Sequence, residues 1–298
     1  METETKDIDR ALGFTIPARN ARGRMVRLGP ALDAVLAAHS YPPAIERLLA
    51  EALTLVALVG STLKDASGQL TLQTQAGPGI VRLLVCDYRG GEIRGYVEFD
   101  ADRLAEVAEP SLFALFGETY LAVTFDLASS GERYQGIVPI DGDSLAEAVE
   151  NYFIQSEQIP TLVRIGVRKG SAGHVAGGLF LQHLPEGEVG RERLHTRLDH
   201  PEWEHVAILG GTMGADELTD VSVSLETLVW RMFNEEDEVR VLATTPLSRG
   251  CRCSPDYVAQ VIAKFPPEER AAMMDENGVI FVDCAFCSIS FPLDLPAD

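Results

Sequence analysis

A chain of 298 residues is long enough for a large core and usually for more than one domain. Apolar residues make up 46% and charged residues 23%, an ordinary globular balance, but the net charge of -20 argues against nucleic-acid or anionic-membrane partners, whose phosphates would repel such a surface. The opening METETKDIDR has no basic stretch followed by an apolar one, and the most apolar run, 52–63, is too short to cross a bilayer, so a cytoplasmic protein is expected.

Along the chain, Pro43 to Asp65 reads as a long helix with apolar positions on most faces after Glu51, and it should be largely buried. Ile80 to Asp87 and Glu92 to Phe99 read as strands joined by Arg89-Gly90-Gly91, a hairpin signal. Tyr120 to Leu127 and Tyr134 to Ile140 form a second pair around Ser129-Ser130-Gly131. Ser144-Leu145-Ala146-Glu147 has the form of a capping box and opens a helix to about Gln155. Leu162 to Lys169 and His174 to His183 add two strands across Gly170 to Gly173. Runs of strands with few helices between them predict an α+β fold, with an N-terminal domain of mixed helix and antiparallel sheet over 1–195.

The character changes from Asp199 to Arg249, where eleven acidic residues face three basic ones. Gly210-Gly211-Thr212-Met213-Gly214 weakens any helix it touches. Apolar residues continue on both sides: Trp203, Val206, Ile208 and Leu209, then Leu225, Leu228, Val229, Trp230 and Phe233. The segment reads as helices that need a partner surface and carry self-repelling charge, a helical linker over 196–246. An inert connector with a solvated acidic face is the simpler alternative.

Four of the five cysteines lie in the last part of the chain, as Cys251-x-Cys253 and Cys284-x-x-Cys287 with 30 residues between the pairs. In a reducing compartment a stable disulfide framework is not expected, and paired cysteines bind metal or do redox work. Structural zinc takes four tetrahedral ligands, commonly as two close pairs. Between the pairs, Pro255 to Lys264 and Pro266 to Asp275 read as short helices and Val279 to Val282 as a strand leading into the CxxC. The region 247–298 is therefore expected to be a small zinc-binding domain with Cys251, Cys253, Cys284 and Cys287 as ligands, too small for a secure core without a staple. A thioredoxin-like dithiol is the competing reading, but that motif opens a helix, and Ser288 to Pro292 looks extended. Cys86, in the strand VRLLVCD, reads as a buried small apolar side chain.

No HExxH, Walker A or GxSxG pattern occurs, and Glu235 to Glu238 reads as a solvated acidic run. A zinc-bearing nucleic-acid-binding module is disfavoured by the charge.

CxC, about thirty residues and CxxC at the end of a chain near 300 residues resembles the heat shock protein 33 family. The likeness extends to Tyr152-Phe-Ile-Gln-Ser-Glu-Gln-Ile-Pro-Thr161, similar to the family's YFxQSEQxPT, and to Gly177-Gly-Leu-Phe-Leu-Gln-His-Leu-Pro185, similar to its GGLxLQxLP; His183 is individual to this chain. The resemblance implies a redox-regulated holdase chaperone, not an enzyme. Reduced and with one Zn2+ on Cys251, Cys253, Cys284 and Cys287, such a protein is inactive. Peroxide with heat, or hypochlorous acid, converts the four thiols to two disulfides and releases the zinc. The middle segment then unfolds, and the protein, typically a dimer, binds unfolding clients without ATP. Four cysteines allow three connectivities. Loop closure favours Cys251 with Cys253 and Cys284 with Cys287.

Overall fold

The computed structural model describes residues 8–75, 77–184 and 199–293. The chain opens with β1 (Arg10–Ile16), a 3-10 turn and β2 (Ala21–Leu28), followed by α1 (Pro30–Leu36) and α2 (Pro43–Gly60). β3 (Gln69–Thr74), β4 (Val81–Arg89) and β5 (Glu92–Phe99) come next, then α3 (Ala101–Ala105) and α4 (Leu112–Phe116). β6 (Tyr120–Leu127), β7 (Glu132–Pro139), α5 (Leu145–Tyr152), β8 (Thr161–Gly170) and β9 (Gly173–His183) complete this part. The helices α6 (Pro201–Gly211), α7 (Ala215–Leu218) and α8 (Leu225–Phe233) lead into three two-residue strands, β10 (Arg240–Val241), β11 (Thr245–Pro246) and β12 (Ser248–Arg249). The C-terminal segment holds α9 (Pro255–Ile262), α10 (Pro267–Ala272), β13 (Ile280–Asp283) and β14 (Ser290–Leu293).

Two sheets enclose α2, an α+β arrangement. One runs β10-β1-β2-β9-β8, with β11 also on β1; the other runs β12-β5-β4-β3-β6-β7. All pairings are antiparallel except β12 with β5. The apolar residues of α2 fall on most faces, and it is buried from Leu48 onward apart from Glu51. It ends at Gly60, five residues short of the expected Asp65, where the Tyr88 ring occupies the place of a side chain. The two-residue loop Gly90-Gly91 has φ +57° and +92°, the left-handed values a tight hairpin requires and glycine supplies cheaply. Ser144 caps α5 by accepting from the Glu147 N–H, but the Glu147 carboxylate accepts from Asp143, one residue before the cap. α5 ends at Tyr152 and the chain continues as a π-turn over Phe153–Glu157.

The first sheet is covered on both faces. Its inner face joins the core around α2; its outer face presents Leu12, Phe14, Ile16, Met25, Leu179 and Leu181 to α6–α8. The helical period selects the anchors. Trp203, Val206 and Gly210 of α6 face the sheet, as do Leu225, Leu228, Val229 and Phe233 of α8. Ile208 and Trp230, expected above to need a partner surface, point the other way and are 69% and 66% exposed. Gly210 is required by close approach, since a Cβ there would lie 2.3 Å from Leu181. The boundary expected at residue 195 lies outside the described residues.

Arginines of the sheet hold the acidic helices. Arg10 makes a two-pronged pair with Glu226 at 2.8 and 2.6 Å. Arg19 bonds Glu202 and, at 2.8 Å, Glu236, which also bonds His205 at 2.7 Å. Arg27, fully buried, donates to the carbonyls of Leu218 and Val223. β10 and β11 then extend the edge at β1, and β12 crosses to β5, delivering the chain to Cys251.

Candidate metal centre

Cys251 and Cys253 follow β12 directly, and Ser254 caps α9 by accepting from the Tyr257 N–H. Cys284 and Cys287 sit in the loop of the β13–β14 hairpin. The loop is closed by Ser288 N–H to Cys284 O at 2.8 Å and Cys284 N–H to Ile289 O at 3.0 Å, with Ser288 at φ +55°. Among the described residues no helix follows the CxxC, which removes the main structural support for a thioredoxin-like site. Among the described residues of this segment, Ala259, Ile280 and Leu293 form the buried apolar cluster, so the core they make is small.

All four expected ligands come together: their sulfurs lie within 4.8 Å of one another. Cys251 Sγ is 3.3 Å from Cys253 Sγ and 3.6 Å from Cys284 Sγ, and Cys253 Sγ is 3.9 Å from Cys287 Sγ. A tetrahedral zinc with bonds of about 2.3 Å sets sulfur–sulfur edges of about 3.8 Å, so the set fits such an ion. The thiols ionise unequally. Burial opposes ionisation of Cys251, but the Cys253 N–H and the neighbouring thiols bring it down to about 7. Burial pushes Cys287 up to about 12. A cation among the sulfurs removes this conflict by favouring the thiolate at every position. Cys86 lies elsewhere, fully buried in β4, and burial raises its thiol, as expected of a core side chain.

The residues between the ligands reach the second sheet, which their sequence context does not announce. Arg252 Nη1 donates to Gln69 at 2.7 Å, and its other prong lies 3.5 Å from Asp87. Phe286 lies under the Arg94 guanidinium, 3.9 Å from the ring centre, and edge-on to Tyr96 at 5.0 Å. Asp87 is almost wholly buried; it pairs with Arg94 at 2.6 Å and accepts from Thr71 at 2.7 Å. Ser288 Oγ is 3.0 Å from His39 Nδ1.

The family model for the Hsp33 protein matches residues 9–294. The chain belongs to the Hsp33 family. A 33 kDa chaperonin of Caulobacter vibrioides is 43% identical over 292 residues, covering 95% of this chain and 94% of that protein. One of Ectopseudomonas mendocina is 34% identical over 282 residues, covering 94% and 90%. The crystal structure of a 33 kDa chaperonin, a heat shock protein 33 homologue, from Thermotoga maritima superposes with a TM-score of 0.77 at 22% identity, covering 96% of this chain and 94% of that one. That likeness shows the fold. Membership in the Hsp33 family assigns the chain a chaperone function. Among the described residues, no helix is long and apolar enough to cross a membrane.

Proposed function

We propose that this Hsp33-family chain is an ATP-independent, cytoplasmic holdase kept inactive by zinc on Cys251, Cys253, Cys284 and Cys287 and activated by oxidation of those thiols. The gathering of four sulfurs within 4.8 Å on a segment with a very small core carries the reading. Zinc in such modules contributes roughly 10–16 kcal/mol of apparent binding free energy, comparable to the whole stability of a typical domain, about 5–15 kcal/mol. Ligand loss therefore removes what keeps 247–298 folded. Each disulfide forms from two thiols and one peroxide, with two waters leaving. All six sulfur pairs are within reach, so loop closure decides the partners: Cys251 with Cys253 and Cys284 with Cys287.

On this reading the linker, 196–246, which joins the segment in sequence, then leaves the sheet. The surface it vacates carries Leu12, Phe14, Ile16, Met25, Leu179 and Leu181, an apolar face suited to unfolding clients, and the active form is a dimer.

The test measures bound zinc, free thiols and suppression of client aggregation before and after peroxide. One zinc and four protected thiols per reduced chain, with suppression only after zinc loss and at stoichiometric amounts, are expected. Zinc-free reduced protein, or full suppression before oxidation, would count against the proposal.

A further inference from the structure

The metal ligands are separated by residues that the zinc reading leaves without a role. Arg252 is the spacer of the CxC and Phe286 the second spacer of the CxxC, and both enter one small area of the second sheet. The area is built for them. β5 alternates, burying Ile93, Gly95 and Val97 and turning Arg94 and Tyr96 outward. Asp87 stands directly opposite Arg94 in the β4–β5 register, on the same outer face. With both oxygens engaged by Arg94 and Thr71, it holds the Arg94 guanidinium flat against the Phe286 ring. The same carboxylate faces Arg252 from the other ligand pair. One buried acid thus organises the seating of both halves of the metal centre.

We propose that Asp87, Arg94 and Tyr96 form a socket for Arg252 and Phe286, and that seating in it sets how readily Cys284 and Cys287, the half-buried and buried thiols, are reached by thiol reagents. The proposal rests on the functional reading above for its biological meaning, though docking itself is independent of metal identity. Each cysteine pair contributes one plug; Cys251 and Cys253 are exposed in the seated arrangement, so unseating changes access chiefly at Cys284 and Cys287. The socket residues are positioning residues: none offers a sulfur or nitrogen to the metal, and the strands that carry them, β4 and β5, lie outside the cysteine-rich segment.

The experiment uses the full reduced chain and four variants, Arg94→Met, Phe286→Leu, their combination, and Phe286→Tyr. The alkylation rate at Cys284 and Cys287, resolved by peptide mapping, is measured together with hydrogen exchange and zinc content. Loss of the cation–ring contact predicts alkylation faster by about 5- to 30-fold in Phe286→Leu, and at least as much in Arg94→Met, which also strips Asp87 of its 2.6 Å partner. The double variant should be no faster than the faster single one, because both remove the same contact. Phe286→Tyr keeps a ring beneath the guanidinium and should alkylate at the wild-type rate. Exchange in 81–99 and 284–288 should quicken together in Arg94→Met. Multiplying effects in the double variant, unchanged alkylation in both singles, or quickening on one side alone would overturn the socket. Zinc-free wild-type protein would sink the metal reading while alkylation and exchange still report on docking. Should Arg94→Met fail to fold, Tyr96→Leu replaces it: it removes the edge-on contact with Phe286, and its combination with Phe286→Leu should be no faster than Phe286→Leu alone, because the ring is already gone.

Discussion

Replacing Phe233 with alanine should unseat the acidic helices without touching a cysteine. Its side chain is 1% exposed at the end of α8, 5.8 Å ring to ring from Phe14 on β1. Truncating a buried phenylalanine costs about 3–5 kcal/mol, because the cavity adds to the lost transfer energy. At about 1.4 kcal/mol per factor of ten, local opening of α8 becomes a hundred- to several-thousand-fold more frequent, roughly. The control is Trp230→Ala on the opposite face of the same helix. Trp230 is 66% exposed, so its loss should change stability by no more than about 0.5 kcal/mol. Hydrogen exchange over 225–233 in reduced, zinc-loaded protein reads both, and client aggregation gives the functional consequence. Phe233→Ala should lose protection and suppress aggregation partially before oxidation; Trp230→Ala should do neither. Equal effects of the two substitutions would refute the assignment of faces on which the argument depends.

Acid should loosen the same helices. Arg10 holds the Glu226 carboxyl below its ordinary value of 4.5, and Arg19 with His205 holds Glu236 low despite burial. A depressed folded pKa stabilises above about 4.5 and is lost as pH falls through the folded value. Protection over α8, relative to the intrinsic exchange rate at each pH, should therefore fall below about pH 4.5, with a small amplitude that added salt reduces, since such partly exposed pairs contribute about 1 kcal/mol at most. The two adjacent glycines of α6 should respond oppositely to alanine. Gly211→Ala meets only Arg164 Nη2 at 3.8 Å and should stabilise by up to about 1 kcal/mol and delay activation; Gly210→Ala drives a Cβ into Leu181 and should destabilise, as thermal melts of reduced protein would show. Stripping zinc with a chelator under reducing conditions should remove exchange protection from 255–293 while 161–183 keeps it; retained protection in both would show that the segment folds without metal.

Hairpins and cysteines were the most legible parts of this sequence. Gly90-Gly91, Gly131 and Gly170 to Gly173 mark turns between strands whose neighbours in sequence are also neighbours in space. β1 and β2 escaped notice because the first sheet is covered on both faces and alternation fades. Arg22, Arg24 and Arg27 in β2 also disguise a strand, although Arg27 is wholly buried beneath α7 and α8. β10 to β12 are two residues each and owe their conformation to partner edges, which no local pattern encodes. The gathering of the four cysteines follows from residue type and spacing, whereas their seat does not. Asp87, Arg94 and Tyr96 look like ordinary outward residues of a hairpin, and only the fold brings them under Phe286 and Arg252.

The short strands at 240–249 have a further consequence. They pin the downstream end of the acidic helices to β1 and β5, while β9 pins the upstream end in the same sheet as β1. A segment that leaves its seat is then a loop tethered at both ends, never a free tail. Tethering keeps it at an effective concentration of roughly millimolar near the face it has vacated. On the proposed reading, any client held on that face would face a resident competitor, and must bind more tightly than the tether's own return. Reduction of the disulfides by an external thiol and return of zinc would strengthen that competitor, so resealing of the tethered loop would itself oppose retention of cargo.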